Sequence, residues 1–247
     1  MPRILPVEIA VQDAAGIRIA LREGAARVEL CQALGLGGLT PSPGFVEAAV
    51  EAALAASVPG FVHVLVRPRG GGFVYDADEV DATVRDIRFA RSLGADGVVV
   101  GALTDAGELD LDALQRFIDA AEGLDVTVHR AVDAAADPLA AVTSLPGLRV
   151  RRVLTSGGAA DCRAGRETLA RMATELGGAV ELMAGGGVGV DDIEALAEAG
   201  VDAVHLSARS RVQRGGPSGP GGGEVGFDTT DASVVRAAVE AAAAAAR

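Results

Sequence analysis

Apolar strand-like runs begin near residues 4, 26, 61, 96, 125, 151, 180 and 202, and stretches rich in Ala, Leu and charge separate them. The intervening stretches, such as 78–93 and 109–122, have helical periodicity, and a last one over 231–247 completes eight strand–helix units. Strict alternation of this kind argues for a parallel sheet covered by helices. Eight units within 247 residues fit an α/β fold of one domain, a closed (β/α)8 TIM barrel over residues 1–247. A doubly wound open sheet is the alternative.

The helix-to-strand turns support this division. Glu-Gly-Ala-Ala-Arg-Val (23–28), Leu-Gly-Ala-Asp-Gly-Val (93–98) and Ala-Gly-Val-Asp-Ala-Val (199–204) each place a Gly after a helical run and then start a strand. A glycine there suits the left-handed cap position, so these turns belong to fold maintenance. The segment 214–226, Arg-Gly-Gly-Pro-Ser-Gly-Pro-Gly-Gly-Gly-Glu-Val-Gly, differs in composition and is expected to be a flexible loop after strand 8.

Composition excludes several functions. All 22 basic residues are Arg, and neither Lys nor Asn occurs; both have AT-rich codons, which a GC-rich genome explains. Schiff-base catalysis needs a lysine amine, so lysine-dependent aldolase chemistry is excluded. A net charge of −12 argues against nucleic acid, whose affinity rests on basic contacts to phosphates. Glu8, Asp13 and Arg18 interrupt any secretory apolar segment near the start, and no run approaches the roughly 18 apolar residues of a membrane span. Cys31 and Cys162 lie far apart and suggest no disulfide framework. The expectation is a cytoplasmic protein that touches neither membrane nor nucleic acid.

Chemistry gathers where strands end. Val-Glu-Leu-Cys (28–31), Val-Arg-Pro-Arg-Gly-Gly (66–71) and Val-His-Arg-Ala-Val-Asp (128–133) are apolar runs that stop at charged or reactive residues, and in parallel α/β folds ligands collect at the carboxyl ends of the strands. Side chains alternate along a strand, and charged groups facing the helix layer would find no partners. Glu8, Glu29, Arg67, His129 and His205 therefore point into the upper barrel from five strands, joined by Asp133. Two acids, an Arg and two His make an acid–base and anion-binding set; the competing explanation is a buried salt-bridge network that fills the barrel. His63 lies about 13 Å below Arg67 at ~3.3 Å per residue and reads as core.

Anion binding has further candidates. Thr155, Ser156 and Gly157 follow strand 6, and Gly185, Gly186 and Gly187 follow strand 7. Glycine-rich turns let backbone N–H groups approach a phosphate or carboxylate, and barrels commonly hold phosphate on their last loops. Ser207, Arg69 and Arg130 add side-chain donors, with Arg209 beyond strand 8. Cys31 shares the interior face of Glu29 and is the candidate ligand for a soft metal such as Cu(I); a small buried apolar side chain is the plainer interpretation.

Six ordered blocks carry a family resemblance: Arg-Val-Glu-Leu-Cys (27–31), Gly-Gly-Leu-Thr-Pro-Ser (37–42), Arg-Pro-Arg-Gly-Gly (67–71) with Phe73 and Tyr75, His-Arg-Ala-Val-Asp (129–133), Arg-Val-Leu-Thr-Ser-Gly (152–157) and Met-Ala-Gly-Gly-Gly-Val (183–188). Together the sequence resembles the CutC family from residue 8 to about 208. The resemblance implies a TIM barrel, a cytoplasmic homodimer or homotetramer, and a role in copper homeostasis with Cu(I) as the bound ion. Many members carry cysteines just after the strand 1 glutamate, where Ile9 and Ala10 stand here, which leaves Cys31 as the thiol matching the family pattern. The residues themselves support a second expectation: an enzyme acting on a small phosphorylated or carboxylated compound. In it Glu29 or His129 is the base, Arg67 holds the anion, and the 155–158 and 185–187 loops hold a phosphate. A ligand-sensing barrel is a third.

Overall fold

Eight short strands pair in parallel and in chain order, and the eighth closes on the first. They are β1 (Val7–Val11), β2 (Arg27–Leu30), β3 (Val62–Leu65), β4 (Gly97–Val100), β5 (Asp125–Val128), β6 (Arg152–Thr155), β7 (Glu181–Gly185) and β8 (Ala203–Leu206). Helices alternate with them: α1 (Ala14–Glu23), α2 (Pro43–Ala55), α3 (Ala77–Ser92), α4 (Leu111–Ala121), α5 (Pro138–Thr143), α6 (Arg166–Leu176), α7 (Ile193–Glu198) and α8 (Ala232–Ala244). This computed structural model describes residues 5–213 and 226–245. The closed (β/α)8 barrel matches the sequence expectation. The expected flexible loop at 214–226 lies, apart from Gly226, outside the described residues.

Local chemistry explains where the helices start and stop. Asp13, Asp76, Asp110, Asp137 and Asp231 stand at the N-caps of α1, α3, α4, α5 and α8, and each carboxylate accepts an amide of its helix's first turn. In a chain without Asn, aspartate supplies the cap and also complements the helix dipole. At the other end of α1, Gly24 adopts φ 83°, a left-handed conformation that costs other residues steric strain.

One element lies outside the eight-unit expectation. Past β8, β9 (Arg209–Val212) and β10 (Phe227–Thr230) form an antiparallel hairpin. Asp228 pairs with Arg209 and Arg211 across it. Gln12 and Asp13 at the end of β1 bond its second strand at Asp228 and Thr229, so the hairpin is anchored beside the barrel mouth.

The strands sort their side chains by chemistry. Outward positions such as Ile9, Val28, Leu30, Val64, Val98, Val128, Val153, Leu182 and Val204 join the apolar layer under the helices. Inward positions are mostly polar: Glu8, Arg27, Glu29, His63, Arg67, Thr127, His129 and Arg152 are all buried. Two small apolar groups share that interior, Ala10–Cys31–Leu65–Val99 and Leu154–Met183–Ala203. The outward face supplies most of the burial energy, which leaves the inward face free to hold charge.

Room for the imidazoles comes from glycines on neighbouring strands. A Cβ added at Gly97 would lie 2.3 Å from His63 Nδ1, and one at Gly101 would lie 2.5 Å from His129 Nδ1. Gly185 sits beside His205 in register and leaves space for its ring and for Leu154. We expect Gly97→Ala to destabilise the fold by ~1–3 kcal/mol through overpacking against His63 and the Asp125 carbonyl. Urea unfolding of the two proteins checks this; equal midpoints would contradict it.

Candidate functional site

The site is built on a fully buried carboxylate. Glu8 on β1 accepts from Arg27 Nε at 2.5 Å and from His205 Nδ1 at 2.8 Å. Burial alone would raise the Glu8 pKa, but the Arg27 charge and the His205 hydrogen bond and charge outweigh it and hold the carboxyl well below its usual range. An ionised Glu8 fixes the His205 ring with Nδ1–H inward. Nε2 then faces Glu29 Oε2 at 3.9 Å, too long for a direct hydrogen bond. Burial disfavours the imidazolium, yet Glu8 and Glu29 together raise the His205 pKa above its ordinary value.

Glu29 behaves oppositely to Glu8. Desolvation, with a further push from the Glu8 charge and opposed by His205, raises its pKa to about 7. Two carboxylates of one barrel are thus driven apart, one permanently ionised and one poised to exchange a proton near neutrality. Such divergence marks acid–base sites.

Arg67 and His129 form the opposite wall. Arg67 is 6% exposed; its Nη1 donates to the carbonyls of Leu36 and Gly38, and its Nη2 donates to that of Gly71. These neutral acceptors order the loops after β2 and β3 without cancelling the charge. Its guanidinium also lies over Phe73, 5.0 Å from the ring centre. His129 packs on the same ring at 5.0 Å. Burial and the neighbouring Arg67 lower the His129 pKa to about 4, so the ring is neutral at pH 7. Its Nδ1 accepts from Ala131 N–H at 3.1 Å, which puts the proton on Nε2. Arg67 Nε and His129 Nε2 are buried donors without a partner among the described residues.

Asp133 ties the loop after β6. Its carboxylate accepts from Thr155 Oγ1 (2.5 Å), Ser156 N (3.0 and 3.1 Å), Ser156 Oγ (3.0 Å) and Gly158 N (3.0 Å). Arg130 Nε donates to it at 2.8 Å. The Gly157 amide is taken by Thr155 Oγ1 at 2.9 Å. Arg130 in turn covers Gly186, where a Cβ would lie 2.8 Å from its guanidinium carbon.

A cavity of about 220 Å³ opens at this end of the barrel, lined by Glu29, Arg67, His129, Arg130, Gly186, Gly187, His205, Ser207 and Arg209, with Ala10, Leu34, Leu65, Phe73, Leu154 and Val188 among its apolar wall. Sequence parity therefore brought Glu29, Arg67, His129 and His205 to one place. Arg130, Gly186, Gly187, Ser207 and Arg209 line the cavity with them, and the other candidates stand elsewhere. Glu8 supports from below; Asp133, Thr155, Ser156 and Gly157 bond to one another; Gly185 packs behind His205. Arg69 pairs with Glu79 and covers Tyr75.

Cys31 is fully buried among Ala10, Leu65, Val99 and Leu34, with Sγ 3.5 Å from the Val11 carbonyl. Desolvation and the Glu29 charge push its thiol well above the ordinary range. Among the described residues no group of three or more His, Cys, Asp or Glu is arranged to hold a metal ion. Cys162 precedes α6, and its amide donates to Gly186 O.

Sequence reasoning missed Arg27 and Arg152. Both are buried inside the barrel; Arg152 binds Glu181 at 2.8 Å and Thr127 at 3.2 Å. Arg27 shares parity with Glu29 and Cys31, a signal that could have placed it inside.

Comparison with known proteins follows the same outline. The CutC family model matches residues 5–210. A protein of Agrobacterium fabrum named family protein CutC is 40% identical over 245 residues, covering 96% of this chain and 92% of its own length. A like-named protein of Photobacterium profundum is 38% identical over 207 residues, 83% of this chain and 82% of its own. Among solved structures, CutC from Streptococcus agalactiae, provisionally described as a copper homeostasis protein, superposes with TM-score 0.77 at 27% identity, covering 82% of this chain and 98% of its own. Thiamine phosphate pyrophosphorylase from Pyrococcus furiosus shares the fold at TM-score 0.61 and 14% identity, over 98% of each chain. With its barrel, its motif blocks and these relatives in agreement, the chain belongs to the CutC family.

Proposed function

We propose that this protein is an enzyme that moves a proton on a small anionic metabolite held at the barrel mouth. The observation that carries the proposal is the Glu8–His205–Glu29 chain, with 2.8 Å and 3.9 Å between successive groups, facing a buried Arg67 that has no carboxylate partner among the described residues. In this scheme Glu29 accepts a proton, the His205 imidazolium donates one, and Glu8 keeps His205 charged and oriented. Arg67 neutralises the substrate anion. His129, with Nδ1 occupied and its pKa depressed, has no lone pair to offer and acts as a donor. The described residues contain no helix long and apolar enough to cross a membrane; a cytoplasmic setting and a homodimer or homotetramer complete the proposal.

Copper handling is the second reading, favoured by the description of the Streptococcus agalactiae relative. Cu(I) would then be cargo, with Cys31 its thiol ligand. Soft-metal sites need accessible thiolates and a second soft donor. Cys31 is enclosed by apolar side chains and its thiol is held protonated, so its surroundings do not fit a tight site.

Two outcomes separate these readings. Screening small carboxylates and phosphate esters in D2O by proton NMR should reveal enzyme-dependent exchange or turnover. The rate should rise with pH through about 7 as Glu29 ionises and fall on the alkaline side as His205 deprotonates. Glu29→Gln should lower it by ~10²–10⁴-fold and remove the acidic limb. A Glu29→Gln protein with wild-type turnover would contradict the assignment. In a Cu(I) competition titration, Cys31→Ser should match the wild type. Stoichiometric binding that disappears in Cys31→Ser would support copper instead.

A further inference from the structure

Resting on the proposed acid–base reading, we infer that the anion is a small monocarboxylate and that the site rejects phosphorylated compounds. The first observation is that the glycine-rich backbone nest after β6 is already full. After β6, the amides of Ser156 and Gly158 bond to the Asp133 carboxylate, and that of Gly157 bonds to Thr155. After β7, Gly186 lies under the Arg130 guanidinium. The chain's own carboxylate stands where a phosphate would, and Arg130 serves as its counter-ion.

The second observation is the charge left over. Among the basic residues lining the cavity, Arg130 is paired with Asp133 and Arg209 with Asp228. Arg67 meets neutral groups among the described residues: the carbonyls of Leu36, Gly38 and Gly71, the Phe73 ring and the Tyr75 hydroxyl. The Arg67 charge matches one carboxylate, while the His205 imidazolium is held between Glu8 and Glu29. A phosphate monoester carries about −1.5 to −2 at pH 7 with three strong acceptor oxygens, and Glu29 across the cavity would repel the excess.

The third observation is the donor set. Arg67 Nε and His129 Nε2 make no hydrogen bond among the described residues, although both side chains are more than nine-tenths buried. Both groups flank Phe73, each 5.0 Å from its ring centre. A buried donor left unpaired costs free energy, and two N–H donors suit the two oxygens of one carboxylate. Glu29 and His205 line the same cavity, so the inferred ligand carries an oxygen substituent on the carbon next to the carboxylate for them to act on, as in a 2-hydroxy or 2-oxo acid. The Ala10, Leu34, Leu65 and Leu154 side of the cavity accommodates a short apolar remainder.

The test is a titration of the full chain with pyruvate, glycolate and inorganic phosphate, followed by calorimetry and by the ¹⁵N resonance of His129 Nε2. Pyruvate or glycolate should saturate and shift that resonance, with phosphate at least about tenfold weaker. Arg67→Gln should weaken carboxylate binding by ~10–100-fold, the range of one charged hydrogen bond. His129→Phe should weaken it less and serves as the second variant, since Arg67 also orders the loops. Melting curves confirm that each variant is folded, and the wild-type comparison needs no variant. Phosphate binding as tightly as the carboxylates, no saturable carboxylate binding, or affinities unchanged in both variants would each overturn the inference. None of these outcomes touches the acid–base reading, which stands or falls on turnover by Glu29→Gln.

Discussion

The structure turns on a carboxylate that no water reaches. Glu8 is fully buried in the barrel, and an isolated ion there would be prohibitively costly. Arg27 offsets that cost from β2, and His205 shares it from β8, the two strands that flank β1. Register makes this possible, because Glu8 stands level with Arg27 on one side and His205 on the other. The pairing stabilises the barrel only modestly against an apolar filling. Its larger consequence is electrostatic: Glu8 raises the His205 pKa and adds to the desolvation that raises that of Glu29.

From that charge the rest of the site follows. A proton near neutrality belongs to the His205–Glu29 pair and not to either residue alone. Across the cavity, Arg67 spends its Nη donors on ordering loops and has no carboxylate partner among the described residues, so the site that we propose for an anion is organised in advance. Glycines beside each imidazole remove the side chains that would otherwise push the rings away from these positions. The Asp133 knot fixes the loops after β5 and β6 together, giving the mouth a rigid rim on that side. Cys31 lies apart from this organisation, enclosed by Ala10, Leu34, Leu65 and Val99.

Much of this was legible in the sequence, and the limits are instructive. Period-two alternation correctly turned Glu8, Glu29, Arg67, His129 and His205 inward, because charges cannot face the helix layer. It did not find Arg27 or Arg152. Both sit at strand starts, Arg27 within a segment that reads as a connecting turn, and the adjacent Arg151 and Arg152 give opposite answers unless register is known; Arg151 is exposed and Arg152 buried. Nor could alternation distinguish Asp133 as a scaffold, since its partners at Thr155 and Gly158 lie 22 and 25 residues away. The hairpin of β9 and β10 escaped for a similar reason: two four-residue strands with little apolar character are defined by each other and not by local pattern. Family blocks marked the important segments but did not say which residues touch the cavity.

The central claim is that the barrel drives its two glutamates to opposite protonation behaviour. A ¹³C NMR titration of the glutamate side-chain carboxyls, with Glu29 assigned by its loss in Glu29→Gln, tests this directly. The account predicts that Glu29 titrates near 7 while Glu8 stays ionised throughout the accessible acid range. A Glu29 that titrates at the ordinary carboxylate value of about 4.3 would contradict it.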